Sequence, residues 1–353
     1  MDSVQYMANA LLMEDTNLVR IHARVYSELN RWVPQPSRDN LLGRRADAPA
    51  DENASRRARA NDPYRLGEFL PCFAIRPLYN QALFFVSKAG LGLVRSGILI
   101  STMSYFFLGS LLMAWLWKYA GVLFAAVIAS LVMISPPLLS LGRTTTSDAL
   151  ATLVAFSSLY LIFEKRFLLP GLTVLLAGIY FRTDVVVLAG PVLLMCWLER
   201  RLNFWQTATL ALLAVGSVFT INHFAGDYGI KMLYYREFKG TLLAPSETVV
   251  QFSGRDFFHA LRSGIGLIMG SFFLPFLLVG IGGWLGSARV RTVALIAIAY
   301  AALHFLIFPG WEDRWLGIFY LTMGVAAAAG LSARNRSRFL LTFQRTSESE
   351  SAA

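Results

Sequence analysis

The sequence has 353 residues, of which 56% are hydrophobic, and its mean hydropathy is +0.51. Long apolar runs recur along it, which predicts an all-α, polytopic membrane protein and argues strongly against a soluble domain. The formal net charge of +10 lies in loops and tails. It favours anionic lipids or phosphorylated ligands as partners and disfavours nucleic acid, because no compact basic domain stands apart from the apolar runs.

Residues 1–93 are predicted to be an external segment. Within 1–33, apolar residues recur at helical spacing in two consecutive stretches, the pattern of amphipathic helices that lie on a membrane or dock against its spans. Residues 34–65 contain several prolines and a run of arginines, which predicts a solvated loop whose charges are ordinary surface. An embedded helix is expected to begin near Pro77, since proline is tolerated in a first helical turn.

Residues 94–331 are predicted to form a transmembrane bundle of about nine spans, with an external loop at 225–262. The tail at 332–353 is basic, then rich in Ser and Glu, and is expected to be cytoplasmic and disordered. The expected spans lie at 96–117, 120–141, 149–163, 167–180, 185–198, 204–224, 263–285, 292–308 and 316–331.

Positive charges recur in the short loops of one side, at Lys118, 164–166, 199–201 and after Arg334. The positive-inside rule predicts that this side is cytoplasmic. Residues 1–93 then lie on the outer face, which for a bacterial inner membrane is the periplasmic face. No span precedes them in the sequence, so either this orientation is wrong or a first span stands upstream, and we favour the second explanation.

Three of the expected spans, 149–163, 167–180 and 185–198, are short. A helix of about 15 residues is about 22 Å long, against a hydrocarbon core of about 30 Å. The polar connections at 143–148 and 182–184 are therefore expected below the outer membrane surface. Charged side chains persist at such depth where they line a wet cavity or face a partner, which predicts a recessed polar pocket.

The candidate site consists of acidic and guanidinium side chains expected on the outer side. They are Asp2, Arg76, Arg143, Asp148, Arg182, Asp184 and Arg314. A carboxylate can accept a proton from a hydroxyl group, and guanidinium groups bind phosphate oxygens by charge-assisted hydrogen bonds. This combination favours transfer of a group from a lipid-linked phosphate or pyrophosphate, with the arginines stabilising the departing phosphate.

Each candidate also has a purely structural interpretation. Asp2 and Asp148 could cap the helices that follow them. Arg182 and Asp184 could form an ion pair that compensates two buried charges. Arg76 could extend to the interface without binding a ligand.

The sequence gives little indication of a metal or redox site. Its four histidines are scattered, and His304, inside an expected span, is interpreted as a hydrogen-bonded packing residue. Cys72 and Cys196 are placed too differently along the chain to predict a disulfide. The spacing of the carboxylates leaves binding of a divalent cation open.

Several short motifs carry a family resemblance. They are DSVQYMANAL, IRPLYNQAL, SDALATLVAF with the following FRTD, NHFAGDYG and EDRWLGIFYLTMGVAAAAGL. Together they resemble the GT-C class of polytopic glycosyltransferases, which use polyprenyl-phosphate-linked sugars. DSVQYMANAL resembles the Asp-x-x-x-Tyr-x-x-x-Ala start of that class's first external loop, and IRPLYNQAL resembles its basic-Pro-Pro-Leu-Tyr segment.

The resemblance implies roles for five of the candidates. Asp2 matches the catalytic carboxylate of the first external loop, and Asp148 matches a second acidic residue near the site. Arg76 matches the basic residue that contacts the donor phosphate. Arg182 and Arg314 match pocket or phosphate contacts.

The sequence thus predicts a membrane glycosyltransferase that moves a sugar from a polyprenyl-phosphate donor to a glycan, lipid or protein acceptor on the outer face. A transporter or lipid flippase is the first alternative, and internal repeats with interrupted helices would favour it. A non-catalytic scaffold, in which the recessed charges neutralise one another, is the second.

Overall fold

A computed structural model describes residues 3–227, 229–240, 245, 253–285, 287–309 and 312–333. The described residues form helices and connections without a strand, which confirms the all-α prediction. The N-terminal helices are α1 (Ser3–Leu11), α2 (Leu18–Trp32), α3 (Gln35–Leu41), α4 (Ala50–Asn61), α5 (Pro63–Phe69), α6 (Pro71–Ala74) and α7 (Pro77–Val86).

The first two helices confirm the amphipathic prediction and show that they dock on the protein. Every residue of α1 from Val4 to Leu11 is buried. In α2, one face is buried through Ile21, Val25 and Leu29, and the side chain of Asn17 caps the first turn. These helices form a layer with its own apolar core, which also includes Leu93 and Val94 at the start of the following helix.

The prediction of a solvated loop at 34–65 is wrong, because this segment contains α3, α4 and the start of α5. All four of its prolines stand at or just before a helical first turn, namely Pro34, Pro36, Pro49 and Pro63. Proline is tolerated there because the amide hydrogen it lacks has no partner within the helix. The proline at position 77 likewise begins α7, as predicted.

Among the described residues, the apolar part of the chain continues as twelve helices. They are α8 (Leu93–Ala120), α9 (Val122–Met133), α10 (Pro136–Arg143), α11 (Asp148–Leu159), α12 (Leu168–Phe181), α13 (Val185–Leu198), α14 (Phe204–Phe224), α15 (Gly229–Lys239), α16 (Gly254–Met269), α17 (Phe273–Ile281), α18 (Ala288–Ile307) and α19 (Asp313–Ala333). A π-helical turn, Tyr160–Glu164, extends α11.

Four of these helices, α8, α14, α18 and α19, are long and apolar enough to cross a membrane. The number rises to six if each of two bent pairs, α9 with α10 and α16 with α17, forms one span. The bends are 73° and 68°. The helices indicate a multi-pass membrane protein, and the predicted count of about nine spans is not confirmed.

The bundle has a central and a peripheral side. In α19, 78% of the apolar window is buried, whereas in α14 only 11% is. Large apolar side chains such as Phe106, Leu212 and Phe219 are well exposed on the outer helices. Exposed apolar surface of this extent is what a lipid-facing helix presents.

The segment predicted as an external loop at 225–262 contains α15 and the start of α16. The rings of Phe238 and Phe257 stack at 5.7 Å, and Lys239 pairs with Asp256. The aromatic and basic residues of this segment thus join two helices. Residues 241–244 and 246–252, as well as the tail from 334 onward, lie outside the described part of the chain.

A buried carboxylate holds one end of the bundle together. Glu164 accepts hydrogen bonds from the Trp115 indole (3.1 Å) and the Tyr119 hydroxyl (2.7 Å), and it pairs with Lys118. Nearby, Arg201 donates to the carbonyl of Ile162 over 2.8 Å. Several of the loops predicted to share a side therefore meet at one end, while their cytoplasmic orientation stays a prediction.

Candidate functional site

Asp148 is the centre of a buried polar cluster at the start of α11, at the opposite end of this helix from Glu164. It is the first residue of α11 and is 4% exposed. Arg182 Nη1 lies 2.7 Å from its Oδ1, and Arg314 Nη1 lies 3.4 Å from its Oδ2. The Thr146 hydroxyl also donates to Oδ2 over 2.8 Å. The carboxylate is therefore held by two guanidinium groups, and the interpretation of Asp148 as a helix cap is wrong.

Arg182 connects this carboxylate to a second one. It directly follows α12, and its Nε lies 2.8 Å from Asp184 Oδ1. The other oxygen of Asp184 faces His304 Nε2 at 3.2 Å. Burial alone would raise the pKa of Asp184, but Arg182 and then His304 outweigh it, so that the pKa falls to about 2.

The short helices explain how these side chains meet. The connection between α12 and α13 contains only residues 182–184, so Arg182 and Asp184 occupy the same tight turn. This turn faces the start of α11, because α11 and α12 run antiparallel and pack closely. Two segments that lie 34 positions apart in the sequence are thus brought into direct contact.

Arg76 differs from the other arginines of the cluster. It directly precedes α7, and its guanidinium carbon lies 5.3 Å from the ring centre of Tyr6 and 5.7 Å from that of Phe73. Its Nε and Nη1 are buried and have no hydrogen-bond partner among the described residues. Its charge contributes to lowering the pKa of Asp184, so it belongs to the same electrostatic cluster.

Helix α1 approaches the cluster as well. The hydroxyl of Tyr6 lies 3.3 Å from Ser147 Oγ, directly before Asp148. The Tyr6 ring also contacts Tyr79 of α7 edge to face, at 4.9 Å between ring centres. The N-terminal layer is therefore in contact with the polar cluster, which is what a contribution of α1 to a site would require.

The structure brings together five of the seven candidates, which are Arg76, Asp148, Arg182, Asp184 and Arg314. Arg143 ends α10 in the adjacent connection, but it is exposed, and the phenol that its charge influences is that of Tyr105. Asp2 lies outside the described residues.

His304 is a hydrogen-bonded packing residue, as predicted, but its contact with Asp184 of the cluster was not predicted. It is 4% exposed, and besides facing Asp184 its ring lies among those of Tyr300, Phe308 and Trp315. A polar residue in an otherwise apolar helix is a signal that could have identified it. The side chain of Thr146 was also missed, although it stands within the polar connection.

Glu312 and Arg314 lie where the last two helices connect. Arg314 Nε is 2.5 Å from Glu312 Oε2, so that Arg314 bridges Glu312 and Asp148. Five charged groups therefore alternate in sign, from Glu312 through Arg314, Asp148 and Arg182 to Asp184. Such a chain fixes the direction of each guanidinium group, which is what anion recognition requires.

Within the described residues, no group of three or more His, Cys, Asp or Glu side chains is placed to share a metal ion. Comparison of the chain with protein families, characterised proteins and solved structures gives no match. The chemistry of the site therefore has to be inferred from its own residues.

Proposed function

We propose that this chain is a membrane glycosyltransferase of the GT-C kind. It would transfer a sugar from a polyprenyl-phosphate donor to an acceptor on the periplasmic face of a bacterial inner membrane. The observation that carries the proposal is the buried cluster of guanidinium and carboxylate groups beside Arg76, whose buried Nε and Nη1 have no partner among the described residues. Buried donors of this kind are costly unless a ligand satisfies them.

A phosphate oxygen is the natural partner for these nitrogens. Guanidinium groups bind phosphate through parallel charge-assisted hydrogen bonds. The first turn of α7 starts at Pro77, directly after Arg76, and a helix N-terminus adds partial positive charge. In the proposed site, Arg76 therefore binds the donor phosphate, and Arg182 and Arg314 supply further positive charge nearby.

The bond changes of the proposed reaction are simple. The bond from the sugar carbon C1 to the donor phosphate oxygen breaks, and a bond from C1 to the acceptor oxygen forms. The acceptor hydroxyl gives its proton to a carboxylate, while the lipid phosphate leaves with the electron pair of the broken bond. The arginines stabilise the negative charge that develops on this leaving group.

The contacts of Asp148 favour a positioning role over that of a base. Its Oδ1 is occupied by Arg182, and its Oδ2 is occupied by Arg314 and Thr146. An acceptor hydroxyl would have to displace one of these groups. We therefore assign proton abstraction to Asp2, as the resemblance implies, and orientation of the two arginines to Asp148.

The test is sugar transfer by the purified chain in liposomes, with polyprenyl-phosphate donors of several radiolabelled sugars. Arg76→Gln is expected to lower the rate at least about tenfold, because a charge-assisted hydrogen bond contributes about 1.5–3 kcal/mol. Asp148→Asn and Asp2→Asn should lower it as well. Arg95→Gln is the matched control, since Arg95 is exposed and its guanidinium carbon lies 3.4 Å from the ring centre of Trp32.

The control should keep its rate within about twofold of the wild type. Full activity of both Arg76→Gln and Asp148→Asn would show that the cluster is not the site. Failure of the wild type to turn over any lipid-linked sugar would count against glycosyl transfer itself.

A transporter or lipid flippase is the second candidate, and the two bent helix pairs favour it. Broken helices close to a polar cluster are a feature of transporters, whose substrates bind where helices are interrupted. The same liposomes test this candidate. Movement of the intact lipid-linked sugar across the bilayer, without release of the sugar, would support it.

A further inference from the structure

The N-terminal layer contains a second polar site, separate from the Asp148 cluster. Helices α2, α3 and α4 and the connection after α3 enclose a cavity of about 630 Å³. Polar side chains line most of it, namely Tyr26, Asn30, Arg38, Arg44, Arg57 and Asn61. Its volume lies within the range of about 300–1,000 Å³ that is typical of small-ligand sites.

The lining is strongly basic. It includes three arginines, Arg38, Arg44 and Arg57, while none of the described lining residues carries a carboxylate. Neighbouring arginines are paired instead, since Arg45 contacts Asp47 and Arg56 contacts Glu52. Asp47 and Glu52 thus pair with guanidinium groups that do not line the cavity.

The cavity is formed by a connection that is held firmly on α4. Gly43 has a φ of +69°, and a Cβ there would lie 2.3 Å from the carbonyl oxygen of Asn53. The Asn53 side chain donates to the carbonyl of Arg45 over 2.6 Å, and Arg56 Nη1 donates to that of Asn40 over 3.0 Å. These contacts hold the connection that carries Arg44 against α4, which carries Arg57.

Neutral donors complete the lining. Burial raises the pKa of Tyr26 to about 12, although the charge of Arg59 acts in the opposite direction, so the phenol keeps its proton near neutral pH. Arg38 Nη1 donates to the carbonyl of Asn30 over 3.1 Å, which fixes the direction of its guanidinium group. The lining therefore combines fixed cations with donors that recognise hydroxyl groups.

We propose that this cavity binds a phosphate ester that carries hydroxyl groups, either a soluble sugar phosphate or the headgroup of an anionic lipid. Arg38, Arg44 and Arg57 would bind the phosphate, and Tyr26, Asn30 and Asn61 would bind the hydroxyl groups. The inference does not depend on glycosyl transfer, because it rests on residues that the proposed active site does not contain.

Titration calorimetry on the full chain in detergent tests the soluble source, with glucose 6-phosphate as the probe. Nanodiscs of phosphatidylglycerol or phosphatidylcholine test the lipid source, and the readout is the amount of each lipid that copurifies with the protein. Arg44→Gln and Arg57→Gln should each weaken saturable binding at least about tenfold, since each removes a charge-assisted contact. Both side chains are exposed, so their loss should leave the fold intact.

Arg45→Gln is the matched control. It removes the same charge one position from Arg44, but Arg45 is bound to Asp47 and does not line the cavity. Affinity within about twofold of the wild type is expected for it. Binding that survives Arg76→Gln would show that this cavity, and not the proposed donor site, holds the probe.

Saturable binding in either arm supports the proposal if Arg44→Gln and Arg57→Gln weaken it and Arg45→Gln does not. The arm in which binding occurs identifies the source of the phosphate ester. An equal loss of affinity in Arg45→Gln would show unspecific attraction to a basic surface and would overturn the proposal. Absence of saturable binding in both arms would overturn it as well.

Discussion

Among single residues, Arg182 is the one whose charge compensates two buried carboxylates. It is 8% exposed and faces two carboxylates, Asp148 at 2.7 Å and Asp184 at 2.8 Å. Asp148, in contrast, contacts two arginines, Arg182 and Arg314. Loss of Arg182 would therefore leave both carboxylates short of positive charge, whereas loss of the Asp148 charge leaves Arg182 paired with Asp184.

This asymmetry predicts the order of stability among variants. Arg182→Gln should lower the free energy of unfolding by about 3–5 kcal/mol, because it leaves buried charge uncompensated. Asp148→Asn should lower the free energy of unfolding less, by about 1–2 kcal/mol. Thermal unfolding in detergent, followed by tryptophan fluorescence, measures both.

Arg143→Gln serves as the control for this comparison. Arg143 is exposed in the neighbouring connection, and its replacement should change stability by no more than about 0.5 kcal/mol. If Asp148→Asn were more destabilising than Arg182→Gln, the central role of Arg182 would be refuted.

Among the elements, the pair of α11 and α12 determines whether Arg182 reaches Asp148. The two helices approach closely at Gly171, where a Cβ would lie 2.4 Å from Ile162 Cγ1 and 3.2 Å from the Ser158 carbonyl oxygen. Because Arg182 directly follows α12, a shift of this helix would also move the guanidinium group.

Gly171→Ala should therefore destabilise the protein by about 1–3 kcal/mol through overpacking, and it should lower any activity of the site. Gly190→Ala in α13 is the matched control, because nothing lies within 4 Å of the Cβ it would add. Alanine in a helix is favoured over glycine, so this control should be neutral or slightly stabilising. Equal unfolding temperatures for the two variants would contradict the close packing of α11 on α12.

For the whole molecule, orientation in the membrane is the property that links the site to its substrates. The Asp148 cluster and the Glu164 cluster lie at opposite ends of the helical stretch 148–164, about 24 Å apart at 1.5 Å per residue. The end near Glu164 carries the short basic loops. The positive-inside rule therefore predicts that the Asp148 end faces outward.

Cysteine labelling tests this orientation in a chain whose two native cysteines, Cys72 and Cys196, are replaced by alanine. Ser37→Cys, in the N-terminal layer, should react with an impermeant maleimide on intact spheroplasts. Arg200→Cys, in a short loop of the other end, should react only after permeabilisation. Both positions are exposed, so accessibility and not burial decides the outcome. The reverse pattern would place the proposed site in the cytoplasm.

Much of the local structure follows from local signals in the sequence. Apolar spacing predicted α2, and the proline at position 77 marked the start of α7. The short apolar segments around Asp148 and Arg182 correspond closely to α11, α12 and α13. The same signals failed at 34–65, because a proline in a loop and a proline in a first helical turn look alike without their surroundings.

By itself, the sequence determined that the protein is helical and apolar, where several helices begin, and which charged residues are candidates for a site. Only the tertiary structure decided that Asp148 pairs with Arg182 and Arg314, that His304 joins them and that Arg143 does not. It also decided that two apolar stretches bend by about 70°. The physical reason is that periodicity records which face of a helix is apolar, whereas the direction of a helix and the partners of its polar side chains depend on packing between distant segments.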